Sequence, residues 1–281
     1  MGRPFDIPET LPLDEQRGQT FPKLVELMQR LLATDGCPWD REQDYASLRR
    51  YVLEEACEVI DAIDAGDREH LREELGDLAL QVVFLAELAR RDRWFGPDDV
   101  VQAIVEKLVR RHPHVFGDLD VSGAEEVLRN WETIKANEKA GRALLDGVPR
   151  SLPALQRAQR MSDKASRVGF DWPDGRGSRQ KVSEEIRELD EAVASGDKER
   201  IEHELGDVLF ALVNLARHSG IDAETALRKT ADRFKSRFSH VEQQVRRLHG
   251  GWPQGPDGKP SGGIALAELD GYWEEAKRAE R

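Results

Sequence analysis

The stretch EEACEVIDAIDAGDREHLREELGD at residues 54–77 is repeated in the same chain as EEIRELDEAVASGDKERIEHELGD at residues 184–207. When the two stretches are aligned without a gap, eleven of their 24 positions are identical. Each has a Gly-Asp pair in its middle, at residues 66–67 and 196–197. Glycine is typical of a helix C-terminus, and aspartate is a typical N-cap of the next helix. Each stretch therefore predicts an antiparallel helical hairpin, and the repeat predicts two domains.

The composition favours an all-α protein. Among the 281 residues, 34% are charged, 39% are hydrophobic and only 6% are aromatic, which suits amphipathic helices better than β-sheets. Apolar residues recur at helical spacing through most of the chain, including further predicted helices at about residues 97–111, 124–139, 153–167, 222–248 and 265–281. The segment GRALLDGVPRSLP has the glycine and proline content of a linker. We place the domain boundary there, giving domains 1–145 and 146–281.

Charge and hydropathy exclude several classes of partner. The formal net charge of −12 argues against binding to nucleic acid polymers, which requires a basic surface. No apolar run approaches the ~18 residues that a membrane helix needs. The beginning of the sequence, MGRPFDIPETLPLDE, lacks the apolar core of a signal peptide. We therefore expect a cytoplasmic protein that does not contact the membrane.

The acids of the repeat form a candidate metal site. Glu55 and Glu58 are three residues apart, as are Glu74 and Asp77, so each pair lies on one helix face. Gly66 lies midway between Glu58 and Glu74 and also midway between Glu55 and Asp77, so a hairpin brings the four acids to two matched levels. Hard divalent cations such as Mg²⁺ prefer carboxylate oxygens. The second copy has the same spacing around Gly196, with Glu185, Glu188, Glu204 and Asp207.

A solvated helix face and a di-iron site are two other interpretations of these acids. Glutamates commonly occupy a solvated helix face, but here they precede the apolar runs LALQVVFLAELA and VLFALVNLA, and the whole constellation occurs twice. A di-iron site of the ferritin type needs Glu-x-x-His pairs, and neither repeat contains one. The donor set thus favours Mg²⁺ or Mn²⁺.

The EExxE and ELGD motifs, with their surroundings, resemble the MazG family of nucleoside triphosphate pyrophosphohydrolases, within the all-α NTP pyrophosphatase superfamily. CPWDREQDYASLRRYVLEEACE at residues 37–58 and VGFDWPDGRGSRQKVSEEIRE at residues 168–188 carry the resemblance, which covers nearly the whole chain. It implies tandem MazG-type helical domains that form four-helix-bundle-like units and are completed by homodimerisation. It also implies cleavage of NTPs and dNTPs between the α and β phosphates, giving the monophosphate and pyrophosphate with Mg²⁺.

The resemblance also implies roles for individual residues. Glu54 and Glu184 complete the acidic motif and are candidates to orient or deprotonate the attacking water. The metal ligands would be Glu55, Glu58, Glu74 and Asp77 in the first copy, and Glu185, Glu188, Glu204 and Asp207 in the second.

Basic residues for the phosphates are expected on a later helix of each copy. EKLVRRHPHV at residues 106–115 aligns with DRFKSRFSHV at residues 232–241. This alignment pairs Lys107 with Arg233 and Arg111 with Arg237. In the family this helix supplies phosphate contacts, which would neutralise charge on the leaving pyrophosphate. A basic solvated face is the alternative interpretation.

A third repeated feature is WETIK at residues 131–135 and WEEAK at residues 273–277. The resemblance suggests that Trp131 or Trp273 stacks on the base and that Lys135 or Lys277 reaches a phosphate; a core tryptophan is the alternative. Stacking discriminates poorly among bases, which would suit broad specificity.

Two other functions stay open at this point. One is a pyrophosphatase restricted to dUTP, dCTP or phosphoribosyl-ATP, and the other is a helical regulatory protein that binds nucleotide without turnover. The sequence also leaves open which of the two copies is active.

Overall fold

The computed structural model describes residues 20–138, 141, 143–255 and 261–280. The regular elements in this part of the chain are α-helices, without a β-strand, so the predicted all-α class is confirmed. The chain divides into two compact units, residues 1–140 and 141–281, close to the predicted boundary at 145. Several parts of the sequence discussed above lie outside the described residues. They are the N-terminal stretch, the predicted helix ends at residues 139 and 281, residue 142 of the predicted linker and residues 256–260 of a glycine-rich segment.

Unit 1 is built on a long helical hairpin. Its first long helix ends at Gly66, which has a φ of 68°, and the Asp67 side chain accepts hydrogen bonds from the backbone N–H groups of Glu69 and His70. The predicted C-terminal glycine and N-cap are therefore confirmed. The helices of unit 1 are α1 Phe21–Leu32, α2 Pro38–Glu42, α3 Tyr45–Ala65, α4 Arg68–Arg91, α5 Pro97–Arg111, α6 Pro113–Phe116 and α7 Ala124–Asn137.

The core of unit 1 lies where α1 packs against the hairpin of α3 and α4. Apolar side chains from the three helices meet there and exclude water, which is the main favourable term in folding. The buried members of this core are Met28, Leu48, Val83, Phe84 and Leu88.

Unit 2 repeats the hairpin and adds a second helix pair. Gly196, with a φ of 72°, and Asp197, which accepts from the backbone N–H groups of Glu199 and Arg200, form the turn. The helices are α8 Ala154–Ser166, α9 Gly175–Ser195, α10 Lys198–His218, α11 Ala223–His249 and α12 Leu266–Ala279.

The segment before α8 packs with unit 2. Lys164 on α8 donates from its Nζ atom to the backbone oxygens of Leu144 and Asp146, at 2.8 and 3.4 Å. These bonds explain why the structural division precedes residue 145.

None of the helices in the described part of the chain is long and apolar enough to cross a membrane.

Candidate functional site

The hairpin of unit 1 brings three of the candidate metal ligands together. Glu55 and Glu58 on α3 and Glu74 on α4 each offer a carboxylate oxygen, and these oxygens all lie within 4.8 Å of one another. Glu74 is buried, and its Oε1 atom lies 2.8 Å from Nε2 of His70. This convergence follows from the positions of Glu58 and Glu74, which are equidistant from the turn at Gly66.

Burial and the charges of neighbouring acids raise the pKa of Glu55 and Glu58 in unit 1. For Glu55, burial is the main cause of the raised pKa, followed by the charges of Asp77, Glu58 and Glu74. For Glu58, burial again comes first, followed by the charge of Glu74. Carboxylates at this spacing repel unless a cation lies between them. Their oxygen donors fit a hard divalent cation such as Mg²⁺ or Mn²⁺.

The acids of unit 2 lie in two groups, one on each helix. Glu184, Glu185 and Glu188 on α9 form the first group, with ligand atoms within 4.8 Å of one another. On α10, the second group consists of His203, Glu204 and Asp207.

Lys181 is an internal cation within the first of these groups. Its Nζ atom lies 2.8 Å from Glu184 Oε1 and 2.6 Å from Glu185 Oε1. These contacts lower the pKa of Glu184 and raise the pKa of Lys181. Since Tyr51 occupies the position in unit 1 that matches Lys181, this charge compensation belongs to unit 2.

The other acids of unit 2 also have basic neighbours. Arg200 Nε lies 3.9 Å from Glu204, and His203 Nδ1 lies 3.1 Å from Asp207. Glu188 lies 3.7 Å from an Arg187 nitrogen. Each of these acids of unit 2 thus has a basic neighbour in the chain, as Glu74 of unit 1 has in His70.

A cavity of about 600 Å³ in unit 2 adjoins these acids. Lys181 and Glu185 on α9 and Asp207 on α10 contribute to its wall, so the cavity borders both acidic helices. Its other walls are mainly apolar and aromatic, which is typical of small-molecule sites. The remaining lining residues are Leu145, Met161, Ser162, Ala165, Gly169, Phe170, Asp171, Trp172, Phe210, Ala211, Asn214 and Arg217.

A partly buried polar network supports one part of the cavity wall. The Arg217 guanidinium donates to both carboxylate oxygens of Asp171, at 2.8 and 2.5 Å, and to Oδ1 of Asn214. The Nε2 atom of His218 lies 3.0 Å from Asp171 Oδ1. Arg217 holds the pKa of the Asp171 carboxyl below its usual range. The network joins the loop before α9 to the end of α10.

Gly177 allows Trp172 to lie against α9. A Cβ atom at position 177 would lie 2.2 Å from Cδ1 of Trp172, so a larger residue would displace the indole from the cavity wall.

Unit 1 fills the matching positions with larger or core-forming residues. With the hairpins aligned as above, Asn214 corresponds to Phe84 and Ala211 corresponds to Gln81. Phe84 is part of the unit 1 core, and Gln81 is buried. Two positions that line the cavity in unit 2 thus have larger, buried side chains in unit 1.

The predicted phosphate-binding residues of unit 2 form a separate cluster on α11 and α12. Arg237 pairs with Glu280 at 2.6 Å and lies 5.6 Å from the centre of the Trp273 ring. Lys277 pairs with Glu274 at 2.6 Å, and Arg233 donates to the Thr230 hydroxyl at 2.8 Å. None of these side chains is among the residues that line the described cavity.

The same cluster occurs in unit 1. Arg111 pairs with Glu138 at 2.5 Å and lies 5.7 Å from the Trp131 ring centre. Arg111 and Arg110 lower the pKa of Glu138 to about 2. Lys135 lies over the Trp131 ring at 4.4 Å. The remaining residue of the predicted set, Lys107, is exposed on α5.

Several residues of the cavity were not found by sequence reasoning. Asn214 is a polar residue that interrupts the apolar run VLFALVNLA, and Lys181 precedes Glu185 by one helical turn. Both residues could therefore have been identified from the sequence as candidate site residues. Ser162 and Arg217 lie in segments where polar residues are frequent, and their position in the cavity depends on tertiary packing.

The fold and the site define an all-α protein built on a repeated acidic helical hairpin. The family described as the MazG nucleotide pyrophosphohydrolase domain matches residues 43–116 and 177–242, which contain the two hairpins' acids. The chain belongs to this family, as the resemblance implied.

Curated relatives extend over almost the whole chain. The nucleoside triphosphate pyrophosphohydrolase of Escherichia coli (strain K12) is 44% identical over 264 residues, which is 92% of this chain and 97% of the relative. A Thermotoga maritima protein, named nucleoside triphosphate pyrophosphohydrolase/pyrophosphatase MazG, is 41% identical over 94% of this chain and 98% of its own length. A crystal structure of a MazG-related protein from Thermotoga maritima aligns with 41% of this chain and 97% of its own, with 30% identity and a TM-score of 0.36.

Replacing Glu58 with glutamine is expected to stabilise unit 1 at neutral pH without divalent cations. Because the folded-state pKa of Glu58 is raised, its charge opposes folding above that pKa, and the penalty disappears as the pH falls below the ordinary value of 4.5. Thermal unfolding should therefore show a higher Tm for Glu58→Gln than for the unmodified protein at neutral pH. This difference in Tm should become smaller as the pH is lowered towards 4.5.

Glu188→Gln is the matched control for this prediction, since Glu188 occupies the equivalent position in unit 2 beside Arg187. It should give no comparable gain. A gain in Glu58→Gln that does not change with pH would contradict the proposed repulsion.

Proposed function

We propose that the protein hydrolyses nucleoside triphosphates, in ribo and deoxyribo forms, between the α and β phosphates to give the monophosphate and pyrophosphate. Family membership and the names of its relatives support the reaction. The observation that carries the proposal is the cavity of about 600 Å³ that adjoins the acids of unit 2. This volume is typical of a nucleotide-sized ligand site.

We further propose that the reaction depends on Mg²⁺, with Mn²⁺ as a substitute. The residues that would hold the ion in unit 2 are Glu185, Glu188, Glu204 and Asp207. A divalent cation at such a site supplies charge neutralisation of the phosphates and activation of water. The exclusively oxygen donors of these side chains support this choice.

Other residues of unit 2 would act directly on the substrate. Lys181, whose ammonium group lies at the cavity wall, would contact the triphosphate when it leaves its carboxylate partners. Glu184 would orient the attacking water, because its lowered pKa keeps the carboxylate ionised and able to accept a hydrogen bond from water, although it also makes the carboxylate a weaker base. Arg233, Arg237 and Lys277 would contact phosphate oxygens, as Lys107, Arg111 and Lys135 would in unit 1.

Broad base specificity is also part of the proposal. Phe170, Trp172 and Phe210 in the cavity wall offer ring faces, and stacking on such faces is sequence-tolerant because every base has a π-face.

Incubation with ATP or a dNTP and Mg²⁺ should release pyrophosphate and the monophosphate. Removing divalent cations with a chelator should abolish the reaction, because the acids alone repel a polyanion. The products are separated by anion-exchange chromatography, and circular dichroism checks that the chelated protein keeps its helices. Comparison of the common NTPs and dNTPs then separates a broad enzyme from a narrow one. Release of orthophosphate, or unchanged turnover in the chelated protein, would refute the proposal.

Unit 2 is expected to carry the activity. Asp207→Asn should lower kcat/KM by at least about 100-fold, since even residues that only support a metal ligand are worth about 10- to 100-fold. The matched control is Asp77→Asn in unit 1, where the larger, buried side chains of Phe84 and Gln81 stand at two of the positions that line the cavity in unit 2. It should leave kcat/KM close to that of the unmodified protein. The opposite pattern would assign catalysis to unit 1.

A homodimer is expected from the exposed apolar residues of the hairpins. Three matched pairs of large apolar side chains are 44–57% exposed, and exposed apolar surface of this kind marks interaction sites. These pairs are Ile63 and Val193, Leu75 and Leu205, and Val82 and Leu212. Sedimentation equilibrium should give twice the chain mass of 31.8 kDa.

Leu212→Glu should shift this equilibrium towards the monomer, because it places a charge on the hairpin face. The control is Leu266→Glu on α12, at a leucine that is more exposed but lies outside the hairpin. A monomeric unmodified protein, or dissociation caused by the control alone, would contradict dimerisation through the hairpins.

A further inference from the structure

The hydroxyl group of Ser162 is buried without a hydrogen-bond partner. The residue is 7% exposed, and no partner for its Oγ atom is found among the described residues. Ser162 lines the cavity of unit 2. Because an unpaired buried hydroxyl opposes folding, such groups are rare in native proteins and call for an explanation. A ligand in the cavity would supply the missing partner.

Asn214 offers unpaired hydrogen-bond donors to the same cavity. Its Oδ1 atom accepts two bonds from Arg217, from Nε at 3.0 Å and from Nη2 at 2.8 Å. Because a guanidinium can only donate, these bonds fix the orientation of the amide and use both lone pairs of the oxygen. The amide nitrogen has no partner within the described part of the chain, so Asn214 presents donors only.

Arg217 is held in place and is not available for phosphate binding. Both of its terminal nitrogens donate to Asp171, and the two side chains are 13% and 21% exposed. A bidentate pair of this kind is geometrically specific. Arg217 therefore positions Asn214, while its own charge is compensated by Asp171.

Unit 1 has different side chains at the positions of Asn214 and Arg217. Phe84 stands at the position of Asn214, and Glu87 stands at the position of Arg217. Glu87 accepts a hydrogen bond from Gln29 at 3.1 Å and pairs with Arg90. The Asn214 amide and the arginine that orients it therefore have no counterpart at these positions of unit 1.

We propose that Ser162 and Asn214 bind the edge of the nucleobase. This inference rests on the proposed function and deepens it by assigning the base subsite. The Asn214 amide donates an N–H to a ring nitrogen or carbonyl oxygen of the base, and the Ser162 hydroxyl makes the second hydrogen bond. Every common base has such an acceptor, so the pair recognises and orients a base without selecting strictly among bases.

The location of the phosphates follows from this assignment. Lys181, Glu185 and Asp207 line the same cavity and belong to the acidic helices. With the base held by Ser162 and Asn214, the triphosphate of the same molecule extends towards these residues. Asn214 and Ser162 are therefore base-binding residues, and Arg217 and Asp171 are positioning residues.

Ser162→Ala tests the inference, with Ser178→Ala as the matched control. Ser178 is also fully buried in unit 2, but its hydroxyl donates to the backbone oxygen of Gly175 at 2.9 Å. Calorimetric titration of the full chain measures Kd for an α,β-methylene nucleoside triphosphate, which cannot be cleaved between its first two phosphorus atoms. Tripolyphosphate, which has no base, is the second ligand. Thermal unfolding without ligand measures Tm.

Ser162→Ala should raise Kd for the nucleotide analogue about three- to tenfold, the effect of one hydrogen bond, and leave Kd for tripolyphosphate unchanged. Its Tm should equal or exceed that of the unmodified protein, because an unpaired buried group is removed. Ser178→Ala should lower Tm and leave both Kd values unchanged. Asn214→Ala should raise Kd for the analogue alone.

The inference would be overturned if the unmodified protein did not bind the analogue, or if Kd for the analogue were unchanged in both Ser162→Ala and Asn214→Ala. It would also be overturned if the variants weakened tripolyphosphate binding as much as analogue binding, or if Ser162→Ala lowered Tm. Because binding is measured without turnover, these outcomes are separate from a failure of hydrolysis. A chain that binds the analogue as described but releases no pyrophosphate would refute the proposed function alone.

Discussion

The mutual repulsion of carboxylates across a helical hairpin is the constraint on which the rest of the structure depends. A left-handed glycine followed by an aspartate N-cap fixes the register of the two helices. Residues equidistant from the turn then lie at the same level, and here those residues are acids. Unit 1 keeps Glu55, Glu58 and Glu74 together, with raised pKa values for Glu55 and Glu58. Unit 2 places Lys181 among its acids instead.

The two units use the same backbone for different packing. In unit 1, Phe84 and its neighbours fill the space beside the acids and add to the core. In unit 2 that space is a cavity, and the Ser162 hydroxyl beside it lacks a partner. Burying apolar area stabilises a fold, whereas a cavity and an unpaired hydroxyl oppose folding. The packing of unit 2 at these positions is what we expect of a ligand site, although unit 1 also has an unpaired buried group, Gln81 Oε1.

The hairpins could be predicted from the sequence because their determinants are local. Helical periodicity, Gly66 and Asp67 act within a few residues, and the acid register follows from counting outward from the turn. The cavity could not be predicted, because Asp171 and Arg217 are 46 residues apart and meet only when the loop before α9 packs on α10. Ser162 gave no sequence signal either, since a serine in a polar helix segment is ordinary until its surroundings are known.

The repeated cluster on the last helices bears on how substrate charge is compensated. Arg237 pairs with Glu280 and Arg111 pairs with Glu138, each beside a tryptophan. The cluster is the same in unit 1, where larger, buried residues stand at two of the cavity positions. We therefore infer that these ion pairs mainly stabilise the packing of the last helix of each unit. A phosphate would have to compete with a carboxylate for either guanidinium. Lys181 also has carboxylate partners, but these are the candidate metal ligand Glu185 and its neighbour Glu184. A divalent cation that recruits Glu185 would weaken the hold on Lys181 and leave its ammonium group at the cavity wall to face the triphosphate.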